Sequence, residues 1–204
     1  MGDALDAVLE RSRALGFLGP GAIAEQRRHA EAFQALLPDD PALAVDLGSG
    51  GGLPGLVLAA ALPRTRWVLL DAMTKRTAFL EGVVLELGWQ ERVEVVTGRA
   101  EDLARARRAT VDVVVARGFG PPAVTAECGA PLLRAGGVLV VSEPPGSTGE
   151  RWPAAGLAEL GLALDTVVAG PPAFARLLAA TPCPQRYPRR TGVPAKRPLF
   201  HVER

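Results

Sequence analysis

The stretch Asp46-Leu-Gly48-Ser-Gly50-Gly51-Gly52 puts one carboxylate directly ahead of four glycines. Bare backbone of this kind lets a ligand approach closely, and here it would do so beside a negative charge. Gly50, Gly52 and Gly55 also satisfy the Gly-x-Gly-x-x-Gly spacing of dinucleotide sites, with Asp71 about 20 residues further on. The charge of Asp46 separates the two uses. A pyrophosphate brought to this point would be repelled, whereas the ammonium group of a bound amino acid would be attracted. S-adenosylmethionine carries that ammonium, a sulfonium and no phosphate, so Asp46, Gly48 and Gly50 favour it, with a dinucleotide as the alternative.

Three further positions can do chemistry. Asp71 follows the apolar run Trp67–Leu70 and is placed either to hold the ribose hydroxyls of a nucleoside or to cap a helix and pair with Lys75 or Arg76. Gly98-Arg-Ala100-Glu101-Asp102 is a polar turn that could meet an adenine edge, or simply start a helix, where acids are favoured. Arg117 follows the apolar run 111–116, at an edge where a guanidinium could clamp a ligand, serve catalysis, or act only as an ion-pair partner. His29, beside Arg27 and Arg28, has no recognisable partner and reads as a surface or packing residue.

The elements that must position these residues alternate. Apolar runs at 43–47, 67–70, 93–96, 111–116 and 138–141 read as strands, and 55–62, 75–87 and 122–133 carry helical spacing. Such alternation argues for an α/β fold with a parallel sheet covered on both faces, and ligands then lie beyond the carboxyl ends of the strands. Two helical segments, 3–15 and 21–37, precede the sheet as a helical extension over 1–38, with Gly19-Pro-Gly21 between them. Segment 157–162 reads as a helix, 164–168 and 174–180 as last strands, and Ser142–Gly149 as a loop over the ligand edge. Prolines in 182–198 exclude a regular helix or strand there and suggest an extended, anion-facing loop.

With 204 residues, 48% hydrophobic and 22% charged, the chain suits one soluble domain spanning 1–204. No apolar run approaches the roughly 18 residues of a membrane span, and the charged N-terminus is unlike a signal peptide. A cytoplasmic protein without a membrane partner is expected. Cys128 and Cys183 lack the spacing of a zinc site, so no metal is expected. The net charge of +1 conceals a basic tail over 182–204. From Thr166 onward the one acid is Glu203, against Arg176, Arg186, Arg189, Arg190, Lys196, Arg197 and Arg204, a local attraction for polyanions.

Four segments together resemble the RsmG (GidB) family of 16S rRNA guanine-N7 methyltransferases: Asp46-Leu-Gly-Ser-Gly-Gly-Gly-Leu-Pro-Gly; Leu70-Asp-Ala-Met-Thr-Lys-Arg-Thr-Ala-Phe-Leu; Gly98-Arg-Ala-Glu-Asp with Val114-Val-Ala-Arg-Gly-Phe; and Tyr187-Pro-Arg-Arg-Thr-Gly-Val-Pro-Ala-Lys-Arg-Pro-Leu. The resemblance spans roughly residues 25–200. It implies the Rossmann-like class I methyltransferase fold, a seven-stranded, mostly parallel sheet with an antiparallel seventh strand, and S-adenosylmethionine as cofactor. It also implies cofactor contacts at Gly48, Leu53, Ala100, Glu101 and Arg117, and 16S rRNA or the small ribosomal subunit as partner of a monomer. Arg186, Arg189, Arg190, Lys196 and Arg197 are then the candidate RNA-binding residues. Where the family carries Lys-Gly after strand five, this chain has Ser142-Glu143-Pro144-Pro145-Gly146, and its helical preface is shorter. A small molecule or another RNA is the alternative target.

Overall fold

Leu43–Leu47 has side chains that alternate between two apolar layers, and it forms β1, the strand next to the centre of a seven-stranded sheet. A computed structural model describes residues 2–201; Glu203 and Arg204 of the basic tail lie outside them. The helices are α1 (Gly2–Ala14), α2 (Ile23–Ala32), α3 (Gly55–Ala61), α4 (Thr74–Glu86), α5 (Ala100–Ala106), α6 (Pro122–Gly129), α7 (Ala154–Ala158) and α8 (Val193–Lys196). The remaining strands are β2 (Arg66–Asp71), β3 (Val93–Thr97), β4 (Val111–Ala116), β5 (Leu133–Glu143), β6 (Leu162–Val168) and β7 (Ala173–Ala179). Their order is β3-β2-β1-β4-β5-β7-β6, with β7 antiparallel to both β5 and β6 and the other pairings parallel. The order reverses between β1 and β4, which opens a crevice at the carboxyl ends of those strands.

Two cores cover the sheet. Val45, Leu47, Val114, Ala116, Leu139 and Val141 face α5, α6 and α7, while Ala44, Val113, Val115, Val138 and Val140 face α1, α2, α3 and α4. This is the two-sided burial expected of strands that read as continuous apolar runs. α4 shows why a helix forms here. Thr77, Leu80, Val83 and Val84 fall on one buried face, and the chain leaves through Gly88 at φ +68, a left-handed turn that closes with Trp89 N–H donating to the Val84 carbonyl.

Several boundaries differ from the sequence reading. The helix expected over 21–37 ends at Ala32 and tightens into a 3₁₀ turn over Phe33–Leu36. β5 begins at Leu133 and runs through Glu143, so Ser142 and Glu143 are strand residues and not loop. The helix expected over 157–162 occupies Ala154–Ala158, and Leu162 already belongs to β6. Prolines did not exclude a helix from the tail. Pro194 sits in the first turn of α8, where its missing N–H costs nothing.

Candidate functional site

The glycine loop is held from three sides. Ser49 N–H donates to the Leu70 carbonyl at 2.8 Å, Gly50 N–H donates to Asp71 Oδ2 at 2.9 Å, and Ser12 Oγ–H donates to the Gly51 carbonyl at 2.9 Å. A Cβ on Gly51 would collide with Ser12 Oγ, so α1 closes directly on the loop. The helical preface is therefore part of what shapes the site.

Beyond the loop lies a cleft of about 240 Å³, lined among others by Gly48, Asp71, Ala100, Glu101, Phe119 and Cys128. It spans the carboxyl ends of β1, β2 and β3 and the start of the loop after β4. Gly48 holds φ +72, and a Cβ there would lie 2.9 Å from Phe119 Cδ2. Glycine keeps the cleft open at that point. Asp71 accepts from Gly50 N–H and, through Oδ1, from Met73 N–H at 2.8 Å, with Arg76 3.5 Å away. Its candidate ligand role and its turn-holding role thus coincide in one carboxylate. Glu101, buried at the start of α5, accepts from Gly192 N–H at 2.8 Å. Cys128 has its thiol pushed up to about 12, chiefly by burial.

The structure separates the sequence candidates into two groups. Gly48, Asp71, Ala100 and Glu101 line the cleft; Asp46, Gly50, Leu53 and Arg117 do not. Leu53 has its side chain packed in the core. Gly50 has spent its N–H on Asp71. Asp46 is fully buried, with Oδ2 accepting from Gly55 N–H at 2.9 Å while Oδ1 has no partner among the described residues. Burial pushes its carboxyl up to about 7, against the opposing hydrogen bond from Gly55. The residue that charge arguments placed against a ligand instead anchors the start of α3 to β1.

Arg117 lies half-buried on the α2 side of the sheet. Its hydrogen bond among the described residues is a 3.5 Å contact to the Gln26 carbonyl, which leaves most of the guanidinium donors open. Burial lowers its pKa and the neighbouring Asp46 opposes that shift. His29 packs edge-on to Phe174 at 5.4 Å and shares a 2.9 Å hydrogen bond with Ser142 Oγ, as a packing residue does.

The basic tail is not uniformly available to an anion. Arg186, Arg190, Lys196 and Arg197 are exposed, and Arg186 stacks on the Tyr187 ring at 4.9 Å. Arg189 turns inward onto Glu127, a carboxylate with no exposed surface, at 2.9 and 2.6 Å. Ala195, in α8, reaches the wall of the cleft. Sequence reasoning missed Phe119, Cys128 and Ala195 as lining residues. Phe119 was visible only as the aromatic after Arg117-Gly118.

The residues fit an adenosine-bearing amino-acid cofactor better than a dinucleotide. Two carboxylates, Asp71 and Glu101, line the cleft and would repel a pyrophosphate. The open donors of Arg117 add a positive charge at the carboxyl end of β4.

Comparison with known proteins agrees with this arrangement. Solved structures with the same fold include a methyltransferase from Geobacter sulfurreducens (TM-score 0.64, 16% identity, covering 86% of this chain and 89% of that one) and an O-methyltransferase from Bacillus cereus in complex with SAH (TM-score 0.62, 18% identity, 86% and 90%). Among curated proteins, ribosomal RNA small subunit methyltransferase G of Moorella thermoacetica is 37% identical over 177 residues, 82% of this chain and 73% of its own length. The protein of the same name from Thermotoga maritima is 36% identical over 182 residues, 84% and 76%. The family model GidB, rRNA small subunit methyltransferase G, matches residues 29–143, from α2 through the last residue of β5. The chain belongs to the GidB family, the rRNA small subunit methyltransferase G proteins.

Proposed function

We propose that this chain is an S-adenosylmethionine-dependent methyltransferase that modifies N7 of a guanine in 16S rRNA, acting in the cytoplasm as a one-domain monomer on the RNA or the small subunit. The observation that carries the reading is the cleft itself. Gly48 keeps it open against Phe119, Asp71 and Glu101 line it, and it belongs to a chain of this family.

When bound, the cofactor would supply an electrophilic methyl carried on a sulfonium, which the lone pair of an unprotonated N7 could take directly. No proton is taken up or released at N7, so no general base is required of the chain. What its residues must do is hold the groups in line and keep water out. Asp71 and Glu101 are placed to accept hydrogen bonds from hydroxyl and amine groups along the cleft, which Ala100 also lines. Arg117, with unmatched donors beside buried Asp46, is placed for a carboxylate. Arg186, Arg190, Lys196 and Arg197 meet phosphates, which gives affinity and salt dependence but no base reading.

The test is transfer of labelled methyl from the cofactor to 16S rRNA or small subunits by the purified chain, with the product nucleotide identified by mass. N7-methylguanosine is expected; label on another base, or none on rRNA, overturns the reading.

A further inference from the structure

The tail from Arg189 to Arg197 forms a small closed loop, because Arg189 Nη2 donates to the Arg197 carbonyl at 2.6 Å with α8 in between. The loop lies outside the sheet, so side chains of α5 take up polar groups that a strand partner would otherwise satisfy. Glu101 accepts from Gly192 N–H at 2.8 Å, Arg105 Nη1 donates to the Arg189 carbonyl at 3.2 Å, and Arg105 Nη2 donates to Thr191 Oγ1 at 2.8 Å. Thr191 in turn donates to Asp102 Oδ1 at 3.1 Å, and the same carboxylate pairs with Arg105. Side chains near the start of α5 thus grip the loop at Arg189, Thr191 and Gly192.

Gly192, at φ +82, sits in the left-handed region that glycine enters without strain, with its N–H on Glu101 and α8 beginning at the next residue. α8 packs on α6 and sets Ala195 in the wall of the cleft that Ala100, Glu101 and Cys128 also line. The remainder of the tail is anchored elsewhere. Arg108 donates to the carbonyls of Pro184 and Tyr187 at 2.8 and 2.6 Å, and Arg189 is tied to buried Glu127. Arg105 and Asp102, by contrast, keep 43% and 59% of their side chains exposed, and contacts of that kind add little to global stability. What they fix is local, the seating of one short loop against α5.

We propose that Arg105 is a positioning residue for the cofactor: braced by Asp102 and acting through Thr191, it seats the 189–197 loop on α5 so that α8 completes the cleft wall at Ala195. The assignment rests on the methyltransferase reading above. It gives the tail a second duty, because the loop that carries Arg190, Lys196 and Arg197 also encloses the cofactor. Arg105, Asp102 and Thr191 do not line the cleft themselves, so their effect falls on cofactor affinity and not on the transfer step.

The test uses the full chain with Arg105→Ala, Thr191→Val and the double variant. Three quantities are read: Kd for S-adenosylhomocysteine by calorimetric titration, Tm, and steady-state methyl transfer to 16S rRNA. Each single variant is expected to raise Kd by about threefold to tenfold, the effect of one hydrogen bond on an equilibrium. Tm should stay within about 2 °C of wild type. KM for S-adenosylmethionine should rise by the same factor, with kcat at saturation changed by less than about twofold. Thr191→Ser, which keeps the hydroxyl, should bind as wild type does. Because Arg105 acts through Thr191, the double variant should be no weaker than Arg105→Ala alone.

Wild-type Kd in both single variants overturns the assignment. So does an Arg105→Ala whose sole defect is a raised KM for RNA, since that describes a phosphate contact. Losses that multiply in the double variant would show two independent effects and overturn it as well. All three results leave rRNA methylation standing. A wild-type chain that binds no S-adenosylhomocysteine removes the functional reading, and this assignment with it.

Discussion

Arg189 and Glu127, 62 positions apart in the chain, form an ion pair in which the carboxylate has no exposed surface and both of its oxygens are engaged by one guanidinium. Arg189 also donates to the Arg197 carbonyl, and its backbone N–H donates to Glu127. The arginine that sequence grouped with the RNA-binding cations is a structural tie between the tail and α6.

Removing it should strand a buried charge. Arg189→Ala is expected to cost about 3 kcal/mol, because truncating one partner of a buried pair leaves the other unpaired. In a chain of this size that is a fall in Tm of roughly 6–12 °C. A calorimetric Tm within about 2 °C of wild type would show that Glu127 finds another partner.

The exposed cations should behave oppositely. Replacing Arg190, Lys196 and Arg197 together by Ala should leave Tm and cofactor Kd nearly unchanged and flatten the log–log salt dependence of RNA binding by about one unit for each phosphate no longer neutralised. A salt slope identical to wild type would assign the phosphate-binding role to other residues.

Gly48→Val combines two penalties, a β-branched residue at φ +72 and a Cβ 2.9 Å from Phe119 Cδ2. The circular dichroism spectrum should remain that of a folded chain, while calorimetric titration with S-adenosylmethionine shows affinity reduced by at least about a hundredfold, equivalent to roughly 2.7 kcal/mol. Wild-type affinity in this variant would move the cofactor away from the cleft.

Asp46 carries a pH signature. Its folded pKa, about 7, lies above the unfolded value near 3.8, so the folded chain binds the extra proton between these limits. The corresponding stability is fully present below about pH 4 and is lost as pH rises through about 7, on the order of 4 kcal/mol in all. Asp46→Asn should remove that component. Urea unfolding between about pH 4.5 and 8 should therefore show the difference between variant and wild type growing in favour of the variant as pH rises. Parallel curves would mean Asp46 stays ionised through internal pairing.

Arg117→Ala tests the clamp. Cofactor Kd should rise by about tenfold or more with Tm changed by no more than a few degrees, and Arg117→Lys should recover only part, because an ammonium cannot reproduce a two-pronged guanidinium contact. An unchanged Kd with a lowered Tm would make Arg117 a brace against α2.

What the sequence made legible was the part encoded by local pattern. β1, β2 and β4 are short apolar runs buried on both faces, and such runs announce themselves. Asp71, Ala100 and Glu101 could be placed because each ends a strand or opens the helix after it. The start of β5 was hidden because Arg134-Ala-Gly-Gly has the composition of a turn, yet Gly137 lies against the carbonyls of Val111 and Asp112, where no side chain fits. For Asp46, electrostatics identified a charge that suits a ligand but could not say that Gly55 N–H would take one of its oxygens and that the carboxylate would be buried. The pairing of Arg189 with Glu127 depends on distant segments returning to one place, and no spacing rule reaches that far.

The hydrogen bond from Gly192 N–H to Glu101 makes the basic tail and the cofactor cleft share a single residue. If ligands at the two places both displace Glu101, their binding is coupled. Whatever factor RNA contributes to cofactor affinity, the cofactor must contribute to RNA affinity. On the proposed function, occupancy of the cleft and occupancy of the tail would each be felt by the other through the Gly192–Glu101 contact.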